Sequence, residues 1–237
     1  MNDRYARLKM LIGDEPFEKL RNARVAVFGV GGVGGYAAEA LARSGIGHLD
    51  LIDHDTVSFS NINRQIIALE SNVGMAKTEV MKQRICDIDP AIEVRTFPLF
   101  YLPDTKDTFD FREYDYIVDA IDTVTAKIDL ILSAQEAGTP VISSMGCGNR
   151  LDPSKLIVTD IYETKNDPLA KVMRRELRKR GVKKLKVVLS TETPIKPLFN
   201  AQEAENSGKR SVPGSSAFVP PAGGLLIASC VVRDLLQ

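Results

Sequence analysis

Three cysteines in 237 residues, Cys86, Cys147 and Cys230, stand far apart, and no C-x-x-C pair occurs anywhere. That argues against a zinc knuckle or a thioredoxin-type redox pair, and it suits a reducing, cytoplasmic setting. Histidine is scarcer still: His48 and His54 alone are too few for a histidine-based zinc site. Nor is there an excess of either charge. The 31 Lys and Arg balance the 31 Asp and Glu, so a nucleic-acid surface must come from local clustering. The opening MNDRYARLK has no apolar core of the kind a signal peptide needs. The apolar run GGLLIASCVVRDLLQ is short and broken by Arg233 and Asp234, so it reads as a closing helix and not as a membrane span.

What is there is one substantial core's worth of chain. Short apolar runs at Arg24–Phe28, His48–Ile52, Glu93–Phe97, Tyr116–Asp119 and Val141–Ser144 alternate with helical patterns at 33–44, 74–87 and 125–137. Such alternation signals an α/β fold, a Rossmann-like domain with a mainly parallel sheet and crossover helices. In the helix at 33–44, Ala37, Ala38, Ala40, Leu41 and Ala42 are small enough to sit tightly on the sheet. After Asn149 the pattern changes to strands at 156–161 and 185–190 around a basic helix at 167–180. From Thr193 to Ser216 the chain is rich in Pro, Ser, Asn and Gly, which predicts a long mobile loop. Lys196, Lys209 and Arg210 on it are able to meet RNA if the loop closes over substrate; otherwise it is a connector. The simplest organisation is a single domain over 1–237, with a nucleotide-binding core at 1–149 and a C-terminal substrate and dimer elaboration at 150–237.

The run VAVFGVGGVGG spaces Gly29, Gly31 and Gly34 as G-x-G-x-x-G, with Gly32 between them. Glycine lets the backbone approach phosphate oxygens closely, and the following helix aims its free N–H groups at the anion. An acidic pair, Asp53 and Asp55, follows at roughly the twenty residues expected of a ribose-binding carboxylate. NAD, FAD and ATP all satisfy these features. The next segment, TVSFSNINRQIIALESNVGMAK, is more discriminating because it adds Asn61, Arg64, Gln65 and Lys77. An extra Arg and Lys point to more negative charge than a dinucleotide carries. A triphosphate attacked at its α-phosphate would use both cations on the developing charge. YIVDAIDT then places Asp119 and Asp122 at the carboxyl end of a strand, where ligands of α/β sheets bind. Asp122 has the chemistry of a Mg²⁺ ligand, and equally of a helix N-cap.

In that order, R-x-x-R (Arg4, Arg7), GVGGVG at 29–34, DHDTVSFSNINRQ at 53–65, V-G-x-x-K at 73–77 and DAID at 119–122 resemble a known superfamily. Over residues 1–145 the chain is similar to the ATP-dependent adenylating proteins related to ubiquitin-activating enzymes, such as ThiF, MoeB and HesA. The resemblance implies ATP and Mg²⁺ as cofactors. It implies an ATP-binding set of Gly29, Gly31, Gly32, Gly34, Asp53 on the ribose, Asp55, and Asn61, Arg64, Gln65 and Lys77 on the phosphates. Asp122 would hold Mg²⁺, and Arg7 would reach across a homodimer interface into the neighbouring ATP site. Arg7, Arg64, Lys77 and Asp122 are then the catalytic set. Relatives that activate sulfur carriers usually bear two zinc-binding C-x-x-C pairs, and thioester-forming relatives a loop cysteine; both are missing, so no zinc is expected. The second half instead resembles the tRNA threonylcarbamoyladenosine dehydratase branch, through ISSMGCGNRLDPSKLIVTDI, NDPLAKVMRRELRKRG, LSTETP and SSAFVPPAGGLLIAS. By that resemblance the partner is tRNA bearing threonylcarbamoyladenosine, whose threonyl carboxylate is adenylated and then cyclised with loss of water. A sulfur-relay protein is a further candidate partner. The alternative activity is adenylation of the C-terminus of a small sulfur-carrier protein, and an NAD-dependent oxidoreductase is disfavoured by Arg64 and Lys77.

The basic segment supports an RNA partner independently. At about 100° per residue Leu169, Val172, Met173 and Leu177 share one face, while Lys171, Arg174, Arg175, Arg178 and Lys179 take the other. Lys183, Lys184 and Lys186 extend the positive region, which suits a phosphate backbone or, more blandly, an ordinary solvated face. Cys147, in MGCGN after a strand, is the cysteine nearest the expected site, with a direct role or that of a small buried residue.

Overall fold

Seven strands hydrogen-bond into a single sheet in the order β3-β2-β1-β4-β5-β7-β6, in a computed structural model that describes residues 3–198 and 213–237. They are β1 (Arg24–Phe28), β2 (His48–Ile52), β3 (Glu93–Phe97), β4 (Tyr116–Asp119), β5 (Val141–Ser144), β6 (Leu156–Asp160) and β7 (Lys186–Ser190). All pairings are parallel except β6 against β7. The first five coincide with the expected strands: β1, β2, β4 and β5 are mostly buried in the middle of the parallel sheet, and β3 is its half-exposed edge. β6 stops one residue short of expectation. Asp160 turns its carboxylate onto the Tyr162 N–H at 2.8 Å and the Leu185 N–H at 2.9 Å, closing the strand.

Among the described residues the longer helices are α1 (Ala6–Ile12), α2 (Asp14–Asn22), α3 (Gly34–Arg43), α4 (Lys77–Ile88), α5 (Val124–Ala137), α6 (Pro168–Lys179) and α7 (Val219–Leu235). α1 and α2 were not anticipated. α2 buries only Phe17 and Leu20, too narrow an apolar stripe to stand out among its charges. α4 starts at Lys77 and not at residue 74, because Gly74 turns at φ of 90° and Ala76 bridges antiparallel to Thr56. Gly74 N–H donates to the Val57 carbonyl at 2.8 Å and Val57 N–H to that of Met75 at 2.9 Å.

Two layers of helices cover the sheet. On one face Val25, Val27, Leu49, Leu51 and Val118 pack with Ala37, Ala38 and Leu41 of α3, Met81 and Ile85 of α4, and Ile227 and Val231 of α7. On the other, Ala26, Phe28 and Ile117 pack with Leu130 and Ala134 of α5 and an aromatic group of Tyr101, Phe109 and Phe111; α6 docks beyond α5 through Met173 and Leu177. The C-terminal apolar run is the closing helix α7. Prolines 220 and 221 fall in its first turn, where no intrahelical N–H bond is lost. It lies so close to α3 that a Cβ on Gly224 would stand 2.2 Å from the Val33 carbonyl oxygen. No helix among the described residues is long and apolar enough to cross a membrane. Residues 199–212, the middle of the expected loop with Lys209 and Arg210, lie outside the described residues.

Candidate active site

Sheet order reverses between β1 and β4, and at the carboxyl ends of these strands opens a cleft of about 830 Å³. The three motif glycines meet three different demands there. Gly29 leaves β1 with φ of 89°, and a Cβ on it would stand 2.6 Å from the Ala120 carbonyl oxygen. Gly34 opens α3, where a Cβ would fall 1.8 Å from the Gly29 carbonyl oxygen. Gly31 faces open space, its nearest neighbour being the Gln65 amide 3.8 Å from a built Cβ. The first glycine turns the chain, the third lets helix and strand close, and the second leaves bare backbone towards the cleft, as a phosphate requires. Gly32 lies between Pro220 and Arg64.

The acidic and basic residues that follow converge on the same cleft. Asp53, Asp55, Asn61, Arg64, Gln65, Lys77 and Asp122 all line it. Asp53 accepts from the Val30 N–H at 2.7 Å and the Asp55 N–H at 2.8 Å, fixing the exit of β2 to the glycine turn. Lys77, 5% exposed at the head of α4, pairs with half-exposed Asp55 at 2.7 Å. His54 approaches the other Asp55 oxygen at 3.1 Å. Asn61 accepts from the Ser58 N–H at 3.2 Å, and Arg64 donates to the Ser60 carbonyl at 2.7 Å and the Asn63 amide oxygen at 2.9 Å. Gln65 is buried, and its Oε1 has no hydrogen-bond partner in the protein. Its amide nitrogen is the atom nearest Gly31, and the unsatisfied oxygen needs a donor, such as a nucleotide's hydroxyl or amino group, not a phosphate. Asp122 is exposed, one residue before Thr123, which takes the N-cap position of α5. Arg7 is exposed on α1 and does not line this chain's own cleft.

The far side of the cleft is organised by a residue that sequence patterns did not single out. Arg150 is 3% exposed and donates to the carbonyls of Gly146 at 2.7 Å, Gly148 at 3.1 Å and Glu192 at 3.2 Å. Its remaining nitrogen pairs with buried Asp167 at 2.9 Å. Asp167 is also the N-cap of α6, accepting from the Ala170 N–H at 2.7 Å. Asn149, with φ of 59°, exchanges backbone hydrogen bonds with Ile195 and Gly214. The basic helix therefore starts at the cleft wall and runs away from it for about 18 Å. Lys171, Arg175, Arg178 and Lys179 are exposed, whereas Arg174 donates to the Thr164 carbonyl at 2.8 Å and to its hydroxyl. Arg178 stacks over Tyr162, 5.0 Å from the ring centre. Arg180, Arg175 and Lys179 gather on Glu176 and pull its carboxyl down to about 2. Cys147 lines the cleft but is 7% exposed, and burial pushes its thiol up, away from nucleophilic reactivity.

The sequence profile of the ThiF family matches residues 5–193. The chain belongs to the ThiF family. It is 44% identical to the tRNA threonylcarbamoyladenosine dehydratase of Bacillus subtilis over all of this chain and 96% of that one. To the Escherichia coli enzyme of the same name it is 38% identical, over 91% of this chain and 85% of the other. The solved structure of the E. coli dehydratase TcdA in complex with AMP superposes with a TM-score of 0.89 at 35% identity, over 98% of this chain and 93% of that one. The same enzyme in complex with ATP gives a TM-score of 0.87 with the same coverage.

For this ThiF-family chain two site features went unread, and they differ in how visible they were. Lys127 is fully buried in α5 against Asp119. It shares the helical spacing of Leu130, Ile131 and Ala134, so a lysine at an apolar position was the available signal. Arg150 had no such signal, because two of its partners, Asp167 and the Glu192 carbonyl, lie 17 and 42 residues further along the chain.

Proposed function

We propose that this chain adenylates the threonyl carboxylate of threonylcarbamoyladenosine in tRNA and closes it to the cyclic form, releasing AMP and pyrophosphate. The observation that carries this is end-to-end similarity to the B. subtilis dehydratase, spanning both the nucleotide cleft and the α6 side. A carboxylate oxygen attacks the α-phosphorus and pyrophosphate departs. Arg64 and Lys77 stabilise the charge that builds on the phosphates, and the N-terminus of α3 receives them. Mg²⁺, held by Asp122, would neutralise phosphate charge during this step. In the resulting mixed anhydride the neighbouring carbamoyl nitrogen or oxygen attacks the acyl carbon and expels AMP. That step is intramolecular, so positioning supplies much of its acceleration and no enzyme nucleophile is needed. The protected thiol of Cys147 agrees with this. The active unit is a homodimer, with Arg7 of each subunit completing the neighbour's ATP site; its exposure and its position outside its own cleft support that placement. Any sulfur-relay partner would act outside this cycle.

The deciding experiment incubates the protein with ATP, Mg²⁺ and tRNA carrying the modification, following AMP release and the nucleoside mass. Loss of one water mass per AMP is expected. AMP transferred to a carrier protein, with no mass change in the nucleoside, would sink the proposal.

The exposed cations of α6 are proposed to hold the tRNA backbone. Changing Lys171, Arg175 and Arg178 to Glu spares Arg174, which holds Thr164. Each cation removed from the phosphate backbone should lower the slope of log affinity against log salt by about one, with ATP affinity unchanged. An unaltered salt dependence in a tRNA-binding titration would place the RNA elsewhere.

A further inference from the structure

Lys127 and Asp119 have fully buried side chains, 2.9 Å apart, below the turn that carries Asp122. Lys127 Nζ also donates to the carbonyl of Ile121 at 3.1 Å, and Asp119 Oδ1 accepts from the N–H of the same residue at 3.2 Å. Ile121 is thus gripped at both polar atoms of its backbone, and Asp122 is the next residue. Ser143 Oγ, one strand away, donates to Asp119 Oδ2 at 2.5 Å and anchors the pair to β5. On the other side, Ala120 N–H donates to the Phe28 carbonyl at 2.8 Å, and its own carbonyl abuts Gly29. The turn is therefore locked between the glycine loop and the buried pair.

A buried ion pair adds little net stability, because desolvation of both charges offsets their attraction. An apolar pair of similar volume would hold the core as well, but it could not hold both the N–H and the C=O of Ile121. We infer that Lys127 is a positioning residue: with Asp119 it sets the 119–122 turn so that the Asp122 carboxylate meets a divalent cation on the bound triphosphate. This rests on the adenylation proposal for its metal and nucleotide.

The test replaces both charges, Asp119→Asn with Lys127→Met, so that no buried charge is left unpaired and the Ser143 hydroxyl keeps a hydrogen-bonding partner. Thermal unfolding, affinity for ATP without divalent ion, and Mn²⁺ affinity of the complex with a non-hydrolysable ATP analogue are measured, the last by the spin-resonance signal of free Mn²⁺. The melting temperature and metal-free ATP affinity should stay near wild type. Mn²⁺ affinity should fall by about 10- to 100-fold, as for other partners that orient metal ligands, with Asp122→Ala marking the full loss. The Mg²⁺ concentration giving half-maximal AMP formation should rise in parallel. A folded double variant with wild-type Mn²⁺ affinity would overturn the inference. Should the double variant not fold, Ser143→Ala decides: weakened Mn²⁺ binding supports the pair's role and unchanged binding refutes it. A wild-type protein that binds Mn²⁺ with the analogue yet makes no AMP with tRNA defeats the adenylation proposal while leaving this inference standing.

Discussion

Lys77→Met should leave the fold standing and cut AMP formation by roughly 10²- to 10³-fold, the usual effect of removing one stabiliser of transition-state charge. Its ammonium sits in the cleft at the head of α4, 5% exposed and 2.7 Å from Asp55. Asp55 is 50% exposed, so losing the pair costs stability within about 1 kcal/mol, as for other solvated ion pairs. Methionine refills the space of the lysine stem. In the reaction the difference is large. Negative charge moves onto the departing pyrophosphate, and a cation already fixed by a helix start needs no reorganisation to receive it. Urea unfolding and AMP release at saturating ATP separate the two effects. Turnover within a few-fold of wild type would remove Lys77 from the phosphate site.

Gly34→Ala should fail in a different way, by loss of folding stability on the order of 3 kcal/mol or more, beyond ordinary overpacking. The new methyl would stand 1.8 Å from the Gly29 carbonyl oxygen and 3.1 Å from the Ala120 side chain, both on rigid backbone. Either α3 lifts from the sheet or the turn opens, and ATP binding is lost with both. Gly31→Ala is the contrasting variant. Its methyl meets nothing nearer than the Gln65 amide at 3.8 Å, so the fold should persist while the cleft backbone becomes blocked to phosphate. ATP titrations should therefore show both variants impaired, while denaturant midpoints separate them, with only Gly34→Ala losing stability. Equal stability loss in both would show that the glycine turn is not divided in this way.

The strands and the nucleotide cleft were legible because their signals are local. An apolar run marks β1, and a spacing of glycines marks the turn after it; Gly29, Gly31 and Gly34 proved to differ in the ways that spacing implies. The start of α4 was misplaced because a helical periodicity continues backwards into 74–76, where pairing with 56–57 wins. Arg150 and Asp167 were invisible for a deeper reason. Their meaning lies in groups brought together only by the folded chain: carbonyls from the loop after β5 and the exit of β7, and the Asp167 carboxylate at the start of α6. Lys127 stands between these cases, readable as an anomaly but not as a partner of Asp119.

The seat of α7 carries a consequence in time. Pro220 lies 3.3 Å from where a Gly32 side chain would begin, Gly224 touches the first turn of α3, and Ile227 and Val231 complete the core beneath it. A ribosome delivers α3 nearly two hundred residues before α7. Until α7 emerges, the flank of α3 that it covers stays bare and the glycine turn lacks its backing. The nucleotide site is written early in the chain and assembled late, so a nascent protein should acquire ATP binding only once α7 has emerged.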